Sequence, residues 1–343
     1  MKPKLAINGF GRIGRTIAKI NCLQQHFDLV AINDIDPYIE NMAYLFKYDS
    51  TYGKFEGDVV SDNDSIVING QTAKYLCNSD IADVDWAGLG VDVIIDSSGV
   101  AHNVLSARQV AEVGSVDKIV VTHSSDNVDR EVILGVNEHE LRSDDRVLSN
   151  SICDANAIAH VMRWLDEEYG IETGSVTTLH PWLSYQNLTD GPAISQSQPG
   201  VVWKDFALGR ASTDSLIPKN TTAMTAVEKV LPQLKGKVMS FSYRVPTDIV
   251  ASSDITLKLK GDVNQSSLYS FLKEKVDASP YVRMNTESLV SLDYEKDSHS
   301  AILDGQWIKA ENGLVKVVLW YDNEWGYSAR ALDLARYAVG FPK

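Results

Sequence analysis

The stretch SNSICDAN, residues 149–156, places a cysteine where a strand-like run gives way to a helical one. The helical run, DANAIAHVMRWLDEEYG, carries apolar side chains at helical spacing and ends at Gly170. Cys153 is therefore expected at a helix N-terminus, where the helix dipole and free amides favour a thiolate. Free cysteine is also among the most frequently buried residues, so inert burial is the alternative interpretation.

A nucleophilic cysteine needs a base, and His180 is the candidate. It ends the strand-like run GSVTTLH and precedes Pro181, which is expected to stop regular strand pairing and begin a loop. A thiol beside an imidazole is the arrangement of a nucleophile with its general base. A lone histidine is more often structural, and sequence spacing does not establish that Cys153 and His180 are close together.

A second site is indicated at the amino terminus, in KLAINGFGRIGRTIAKI. The pattern predicts a strand, a tight turn and a helix: Gly9 permits the turn, Gly11 lets the backbone approach a pyrophosphate, and Gly14 allows close packing of helix on sheet. The next strand, LVAIND, ends at Asp34, where a carboxylate can accept hydrogen bonds from an adenosine ribose. Because Asp34 would repel a 2′-phosphate, the pattern predicts NAD as the cofactor rather than NADP. A structural turn with an unrelated acidic residue is the alternative.

Further apolar runs follow at 91–96, 118–123 and 146–151, separated by segments long enough for crossover helices. This alternation predicts an α/β fold with a doubly wound parallel sheet. Ligands bind beyond the carboxyl ends of strands in such sheets, where Ser98 and Thr122 would lie. Small polar residues at these positions are also ordinary turn formers.

Composition narrows the classes of function. The chain has 343 residues with 44% hydrophobic content, which predicts two domains packed together. The formal net charge of −14 disfavours nucleic acid and anionic membranes as partners. No apolar run of membrane-spanning length and no secretory leader is apparent, so a cytoplasmic enzyme is expected. Three scattered cysteines predict reduced thiols, and no paired CxxC or HxxxH spacing indicates a metal site.

Motifs along nearly the whole chain resemble, in order, those of the phosphorylating glyceraldehyde-3-phosphate dehydrogenase family and its relative erythrose-4-phosphate dehydrogenase. The matching stretches are INGFGRIGR (7–15), KYDSTYGKF (47–55), GVN (135–137), SNSIC (149–153), TTLH (177–180), TDGP (189–192), IP (217–218), VLP (230–232), YRVPT (243–247) and WYDNEWGYS (320–328). Such a co-linear series is specific for the superfamily and much less specific for the substrate.

The resemblance implies an NAD-binding domain over residues 1–150 and a catalytic domain over 151–326 with a mostly antiparallel sheet. It also implies that a C-terminal helix in 327–343 returns to the first domain and that the chain forms a homotetramer. On the family pattern, Cys153 is the nucleophile and His180 the general base. The expected cofactor-binding residues are Gly9, Gly11, Arg12, Ile13, Gly14, Asp34, Ser98, Thr122 and Asn323, and the expected substrate or phosphate ligands are Thr221, Arg244 and Arg210.

The implied chemistry is oxidation of an aldehyde. A Cys153 thiolate attacks the carbonyl while His180 handles the proton. The thiohemiacetal passes hydride to NAD and leaves a thioester, which inorganic phosphate converts to an acyl phosphate or water converts to an acid.

Several residues depart from the family pattern. Leu183 and Tyr185 stand where the family has two phosphate-binding threonines, Ile152 replaces a serine, and Thr222 replaces a glycine. Asp154 replaces the threonine after the nucleophile, and a carboxylate there disfavours a neighbouring thiolate. We expect Asp154 to point into solvent as a helix cap.

These departures leave the substrate open. The main hypothesis is a phosphorylating dehydrogenase of a small, phosphorylated aldehyde such as glyceraldehyde 3-phosphate. One alternative is a hydrolytic enzyme of the erythrose-4-phosphate dehydrogenase type, or a dehydrogenase of another small aldehyde with altered anion sites. Another is an NAD-binding regulatory protein that has lost efficient catalysis.

Overall fold

The computed structural model describes residues 2–114 and 116–340. The helices in these residues are α1 (Arg12–Gln24), α2 (Ile39–Lys47), α3 (Ala101–Val113), α4 (Cys153–Tyr169), α5 (Ala223–Val230), α6 (Gln265–Asp277) and α7 (Trp325–Val339). The strands are β1 (Lys4–Asn8), β2 (Asp28–Asn33), β3 (Tyr48–Asp49), β4 (Gly53–Lys54), β5 (Val59–Asp62), β6 (Ser65–Ile68), β7 (Gln71–Leu76), β8 (Val93–Asp96), β9 (Lys118–Val121), β10 (Arg130–Glu131), β11 (Val147–Ser149), β12 (Ile171–Pro181), β13 (Ile217–Lys219), β14 (Val238–Val245), β15 (Ala251–Leu259), β16 (Val282–Asn285), β17 (Ala301–Asp304), β18 (Lys309–Glu311) and β19 (Leu314–Tyr321).

The chain divides into two compact units. The first unit comprises Met1–Val132, His139–Asn150 and Ser328–Lys343, and the second comprises Ile133–Glu138 and Ser151–Tyr327. The last three residues of the expected C-terminal segment, 341–343, lie outside the described residues.

The first unit contains a sheet with the strand order β10-β11-β9-β8-β1-β2-β7-β6-β5. Its strands from β10 to β7 pair in parallel, and antiparallel β5 and β6 continue the sheet past β7. The strands β8, β9 and β11 are buried along their whole length, as in parallel sheets that are covered on both faces. The predicted doubly wound parallel sheet is confirmed.

The second unit contains a sheet with the order β13-β14-β12-β15-β19-β17-β16, and β18 also pairs with β19. Only β12–β14 and β16–β17 are parallel pairs among these strands, so the predicted mostly antiparallel sheet is confirmed. Buried side chains of α4, α5 and α6 pack with those of the sheet into one apolar cluster. This packing fixes the first residue of α4 against the sheet.

Local boundaries differ from the sequence expectations in two places. The strand β12 continues through Pro181, which pairs in register with Val245, so the expectation that pairing stops at this proline is wrong by one residue. Proline removes only a donor, and the last residue of a strand tolerates that loss. The final helix begins at Trp325 rather than at Tyr327. At the end of α4, Gly170 adopts a positive φ of 72°.

None of the helices in the described part of the chain has the length and apolar content that a membrane crossing requires.

Candidate active site

The glycine turn between β1 and α1 has the geometry of a phosphate-binding turn. Gly9 has a φ of +88°, and a Cβ on Gly14 would lie 2.1 Å from the Gly9 carbonyl oxygen. A Cβ on Gly11 would meet nothing within 4 Å, so its backbone faces open space at the start of α1. Two glycines are thus required by the fold, and Gly11 leaves room for a ligand at the helix N-terminus. These features fit a bound dinucleotide.

Asp34 directly follows β2 and is held against this turn. Its Oδ2 accepts a hydrogen bond from the amide of Phe10 at 2.5 Å, and its Oδ1 accepts one from the amide of Ile35 at 2.8 Å. The carboxylate therefore links the end of β2 to the glycine turn. This is where ribose recognition requires a carboxylate.

Arg12 begins α1 and forms an ion pair with Asp49, with Nη1 and Oδ1 2.8 Å apart. Lys19 contacts the other oxygen of Asp49, also at 2.8 Å. Burial raises the pKa of Asp49, but the hydrogen bonds from Lys19 and Arg12 outweigh it and hold that pKa well below its usual range. Ile13, the other expected contact in the turn, is half-buried.

A row of buried polar groups lies under the turn, which the sequence analysis did not identify. Asn33 donates to Asn8 Oδ1 at 2.7 Å, and Asn8 donates to Asp96 Oδ1 at 2.8 Å, across three neighbouring strands. Thr122 donates to the backbone oxygen of Asp96 at 3.1 Å, and the Ser98 amide contacts its carboxylate at 3.2 Å. The signal was a polar residue at the last position of each of β1, β2 and β8.

The structure brings Cys153 and His180 together. Cys153 is the first residue of α4, His180 lies near the end of β12, and Sγ is 3.5 Å from Nε2. The Nδ1 of His180 lies 2.7 Å from the carbonyl oxygen of Pro181, which can only accept, so Nδ1 carries the proton. The unprotonated Nε2 therefore faces the thiol.

Burial sets the charge state of this pair. It raises the pKa of the Cys153 thiol well above its ordinary value; the Asp154 carboxylate raises it further and Arg244 opposes both. Burial, reinforced by Arg244, lowers the pKa of His180 to about 4, while Asp154 acts in the opposite direction. At neutral pH the resting pair is a thiol and a neutral imidazole, which is a base able to accept the thiol proton.

Asp154 does not point into solvent, and the expectation that it does is wrong. The residue is buried, with its Oδ1 accepting a hydrogen bond from the Tyr321 hydroxyl at 2.7 Å. The Cys153 Sγ lies 3.7 Å from the same oxygen. The Tyr321 hydroxyl also lies 3.2 Å from Ser253 Oγ, so Asp154 is anchored to β15 and β19. A buried donor on the sheet, the Tyr321 hydroxyl, has replaced solvent as its partner.

Arg244 is also near the thiol and imidazole. It is buried on β14, in register with His180 of β12, and its Nη2 is 3.4 Å from the Tyr185 hydroxyl. The guanidinium Nε is buried without a hydrogen-bond partner among the described residues. Tyr185 packs edge-to-face on Trp203, with ring centroids 5.9 Å apart. A buried, under-satisfied cation next to a nucleophile is suited to an anionic substrate group.

The remaining candidates have other surroundings. Thr221 Oγ1 accepts a hydrogen bond from the amide of Ala223 at 3.1 Å, at the start of α5. Arg210 is exposed and pairs with Asp190 at 2.9 Å. Asn323 is buried, and its Oδ1 has no hydrogen-bond partner in the described part of the chain. Their assignments as ligand contacts stay predictions.

Comparison with protein families gives two matches. Residues 3–104 match the glyceraldehyde 3-phosphate dehydrogenase NAD binding domain, and residues 152–323 match the C-terminal domain of the same family. The first match contains the glycine turn with Asp34, and the second contains the Cys153 and His180 pair.

Full-length relatives agree with these matches. The chain is 38% identical to glyceraldehyde-3-phosphate dehydrogenase of Borreliella burgdorferi, covering 98% of this chain and 99% of the relative. It is 37% identical to glyceraldehyde-3-phosphate dehydrogenase 1 of Kluyveromyces marxianus, with the same coverage of each. Identity to glyceraldehyde-3-phosphate dehydrogenase 2 of Bacillus subtilis is 37%, covering 99% of this chain and 97% of the relative. The chain therefore belongs to the glyceraldehyde-3-phosphate dehydrogenase family and is an NAD-dependent oxidoreductase.

Proposed function

We propose that this enzyme oxidises a small phosphorylated aldehyde, glyceraldehyde 3-phosphate or a close analogue, through a thioester on Cys153, and transfers the acyl group to inorganic phosphate. The observation that carries the proposal is the 3.5 Å approach of Cys153 Sγ to the unprotonated Nε2 of His180. A second unit with this pair and a first unit with a dinucleotide turn are the two parts that the reaction needs.

The steps follow from the resting state of the pair. His180 Nε2 accepts the proton of the thiol as the sulfur adds to the aldehyde carbon, and it then passes this proton to the carbonyl oxygen, which becomes the thiohemiacetal hydroxyl. NAD supplies the hydride acceptor that the oxidation requires. His180 then takes up the hydroxyl proton as the carbonyl of the thioester forms. Phosphate attack on this carbonyl breaks the carbon–sulfur bond and releases the acyl phosphate, and the departing Cys153 thiolate takes back the proton from His180.

The residues proposed to hold NAD are those of the glycine turn, with Asp34 on a ribose. Gly9, Gly11, Arg12, Ile13 and Gly14 belong to the turn itself. Ser98 and Thr122 lie beyond β8 and β9, and both are engaged by the polar row that fixes the strand ends. We also propose that Asn323 binds the nicotinamide carboxamide, since its buried Oδ1 is an acceptor without a partner among the described residues.

Arg244 is the residue we assign to a substrate anion. Its guanidinium is a cation that acts on both Cys153 and His180, and Nε lacks a partner within the described residues. Thr221 and Arg210 are proposed as weaker contributors, since each already has a partner within the chain.

Hydrolysis is the second candidate for the last step. It is favoured by Tyr185, whose ring packs on Trp203 and whose hydroxyl lies 3.4 Å from Arg244. A phenol ring fills more space than a threonine, so room for a second phosphate beside Arg244 is reduced. Water would then be the acyl acceptor.

Steady-state NADH formation distinguishes these outcomes. With glyceraldehyde 3-phosphate we expect turnover that depends on added phosphate and that arsenate also supports. Turnover that is independent of both anions would replace acyl phosphate formation by hydrolysis. Turnover with erythrose 4-phosphate but not with glyceraldehyde 3-phosphate would make erythrose 4-phosphate the substrate. The absence of turnover with any phosphorylated aldehyde would overturn the proposal.

We further propose a homotetramer in a reducing compartment such as the cytoplasm. On the outer face of β12 and β14, Leu179 pairs in register with Tyr243, and Met239 and Phe241 continue the apolar row. Met239 is 74% exposed and Leu179 41% exposed, which is an apolar strand face suited to a partner subunit. Light scattering measures the number of chains in the assembly.

The reducing compartment is proposed from the cysteines, since all cysteines of the described residues are free thiols.

A further inference from the structure

Three side chains that commonly bind transition metals meet at the start of α4. The sulfur of Cys153, a carboxylate oxygen of Asp154 and a ring nitrogen of His180 lie within 4.8 Å of one another. Sequence spacing gave no sign of a metal site, because His180 comes from β12 and only the sheet brings it to α4.

Two of the three spacings match those of a tetrahedral zinc ion. Bonds of about 2.3 Å to sulfur and about 2.0–2.1 Å to nitrogen or oxygen place neighbouring ligand atoms of a tetrahedron about 3.5 Å apart. The Cys153 sulfur lies 3.5 Å from His180 Nε2 and 3.7 Å from Asp154 Oδ1. The third separation, between Asp154 and His180, is no more than 4.8 Å, so the three groups are close enough to share one ion.

The outer contacts are also those of a metal site. His180 donates Nδ1–H to the Pro181 carbonyl oxygen at 2.7 Å, which leaves the Nε2 lone pair directed at the sulfur. The Tyr321 hydroxyl donates to Asp154 Oδ1 at 2.7 Å and fixes the carboxylate. Hydrogen bonds of this kind orient histidine and carboxylate ligands in zinc sites.

The local charge permits a reversible site. A bound thiolate and the Asp154 carboxylate together neutralise a divalent cation, while the Arg244 guanidinium opposes it. Asp154 and His180 are buried, and Cys153 is less buried than either of them. An ion held by three protein ligands keeps one position open for water.

We propose that Cys153, Asp154 and His180 form a Zn²⁺ site, and that occupancy of this site reversibly blocks the enzyme. Binding replaces the thiol proton by the metal, the proton passes to solvent, and no group changes oxidation state. The sulfur lone pair and His180 Nε2 are then committed to the ion. Metal binding itself is independent of the proposed function, whereas the inhibition rests on it.

The test uses the full chain after chelator treatment and removal of the chelator. Titration with Co²⁺ alone is expected to give a thiolate-to-cobalt charge-transfer band that saturates at one ion per chain and that Zn²⁺ displaces. Cys153→Ser should abolish the band. Asp154→Asn should weaken Zn²⁺ binding at least about tenfold. A double variant, Cys22→Ser with Cys77→Ser, removes the other thiols and should bind as the wild type does.

The metal titration tests the Zn²⁺ site, and the NADH assay tests the proposed function, so either hypothesis can be refuted without the other. Saturable metal binding that persists in Cys153→Ser would overturn the proposed site. The site would also be overturned if folded Asp154→Asn and Asp154→Thr variants bound Zn²⁺ as tightly as the wild type does. Circular dichroism establishes that those variants are folded. Turnover with no stoichiometric metal binding would refute this site and leave the proposed function standing, whereas metal binding in a chain without turnover would do the reverse.

Discussion

The glycine turn and the Cys153 site differ in how their parts are assembled. In the turn, Gly9, Gly11 and Gly14 lie on one short stretch of the chain. Gly9 adopts a positive φ, Gly11 faces open space, and Gly14 packs against the Gly9 carbonyl oxygen. In the Cys153 site, the thiol and the imidazole come from a helix and a strand of the second unit. The turn can therefore be predicted from local sequence, whereas the Cys153 site forms only when the sheet of the second unit brings its residues together.

The two regions also differ in their electrostatics. The turn offers backbone amides and open space to an anion, and the charged groups beside it, Arg12, Lys19 and Asp49, pair with one another. The Cys153 site buries a thiol and an imidazole together, and both are held neutral at rest by burial. Asp154 then adds a carboxylate that further disfavours the thiolate. The charged neighbours of Cys153 and His180 therefore also affect the pKa values of these two groups. Substitutions near the Cys153 site should affect the reaction rate and the protonation of this pair more than the free energy of unfolding.

The largest expected effect is on the nucleophile. Cys153→Ser should lower kcat/KM by about 10⁴-fold or more, because an alcohol cannot replace the thiol in forming the acyl-enzyme. NAD binding should be retained, since the turn lies in the other unit. The exposed Cys77 provides the matched control, and Cys77→Ser should leave kcat/KM unchanged. Equal activity of the two variants would show that the sulfur at position 153 is not the nucleophile.

The next effect is on the base. His180→Asn should lower kcat by about 10²–10⁴-fold, which is the usual contribution of a general base. Because the pKa of His180 is about 4, wild-type activity should not fall through imidazole protonation until the pH drops toward that value. The exposed His139 supplies the control in His139→Asn. A pH–rate profile of each variant checks both statements, and an unchanged kcat in His180→Asn would contradict them.

Two alanine substitutions distinguish the glycine that the packing of the turn requires from the one that leaves room for a ligand. Gly14→Ala should reduce the free energy of unfolding by about 1–3 kcal/mol, because its Cβ would overlap the Gly9 carbonyl oxygen. Gly11→Ala meets open space and should stay within about 0.5 kcal/mol of the wild type. Gly11→Ala should nevertheless weaken NAD binding, since the methyl group occupies the approach of the phosphates. Urea denaturation and NAD titration separate the two, and full NAD affinity in Gly11→Ala would remove the turn from the cofactor site.

Much of the fold followed from pattern. The apolar runs at the glycine turn and at 91–96, 118–123 and 146–151 each contain a strand of the parallel sheet, because burial on both faces selects continuous apolar segments. Strand ends were less predictable. Pro181 stays paired because its neighbour β14 continues alongside it, and no local property of the sequence reports that neighbour.

The candidate site was predicted unevenly for the same reason. Cys153 was found from its place before a helix, but the partner of Asp154 could not be, because Tyr321 is 167 residues away in the chain. Sequence alone favoured solvent for Asp154, since a carboxylate at a helix N-terminus is usually exposed. The row formed by Asn8, Asn33 and Asp96 was missed because each asparagine alone is an ordinary strand-end residue.

The smallest effect expected concerns Asp154. Its carboxylate raises the pKa of the Cys153 thiol, so Asp154→Asn should lower that pKa and increase the thiolate fraction at neutral pH. With chelator present, iodoacetamide should then alkylate Cys153 severalfold faster than in the wild type. Asp277→Asn, an exposed substitution on α6, serves as the control. Slower or equal alkylation would show that Asp154 does not act on the sulfur.

Trapping the acyl-enzyme is the most direct test of covalent catalysis by Cys153. Enzyme, NAD and glyceraldehyde 3-phosphate are mixed without phosphate, quenched with acid at early times, and examined by mass spectrometry alongside the NADH formed. We expect one acyl group per chain on the peptide that contains Cys153, matched by one NADH and absent from Cys153→Ser. NADH formed without an adduct on that peptide, or an adduct that survives in Cys153→Ser, would contradict it.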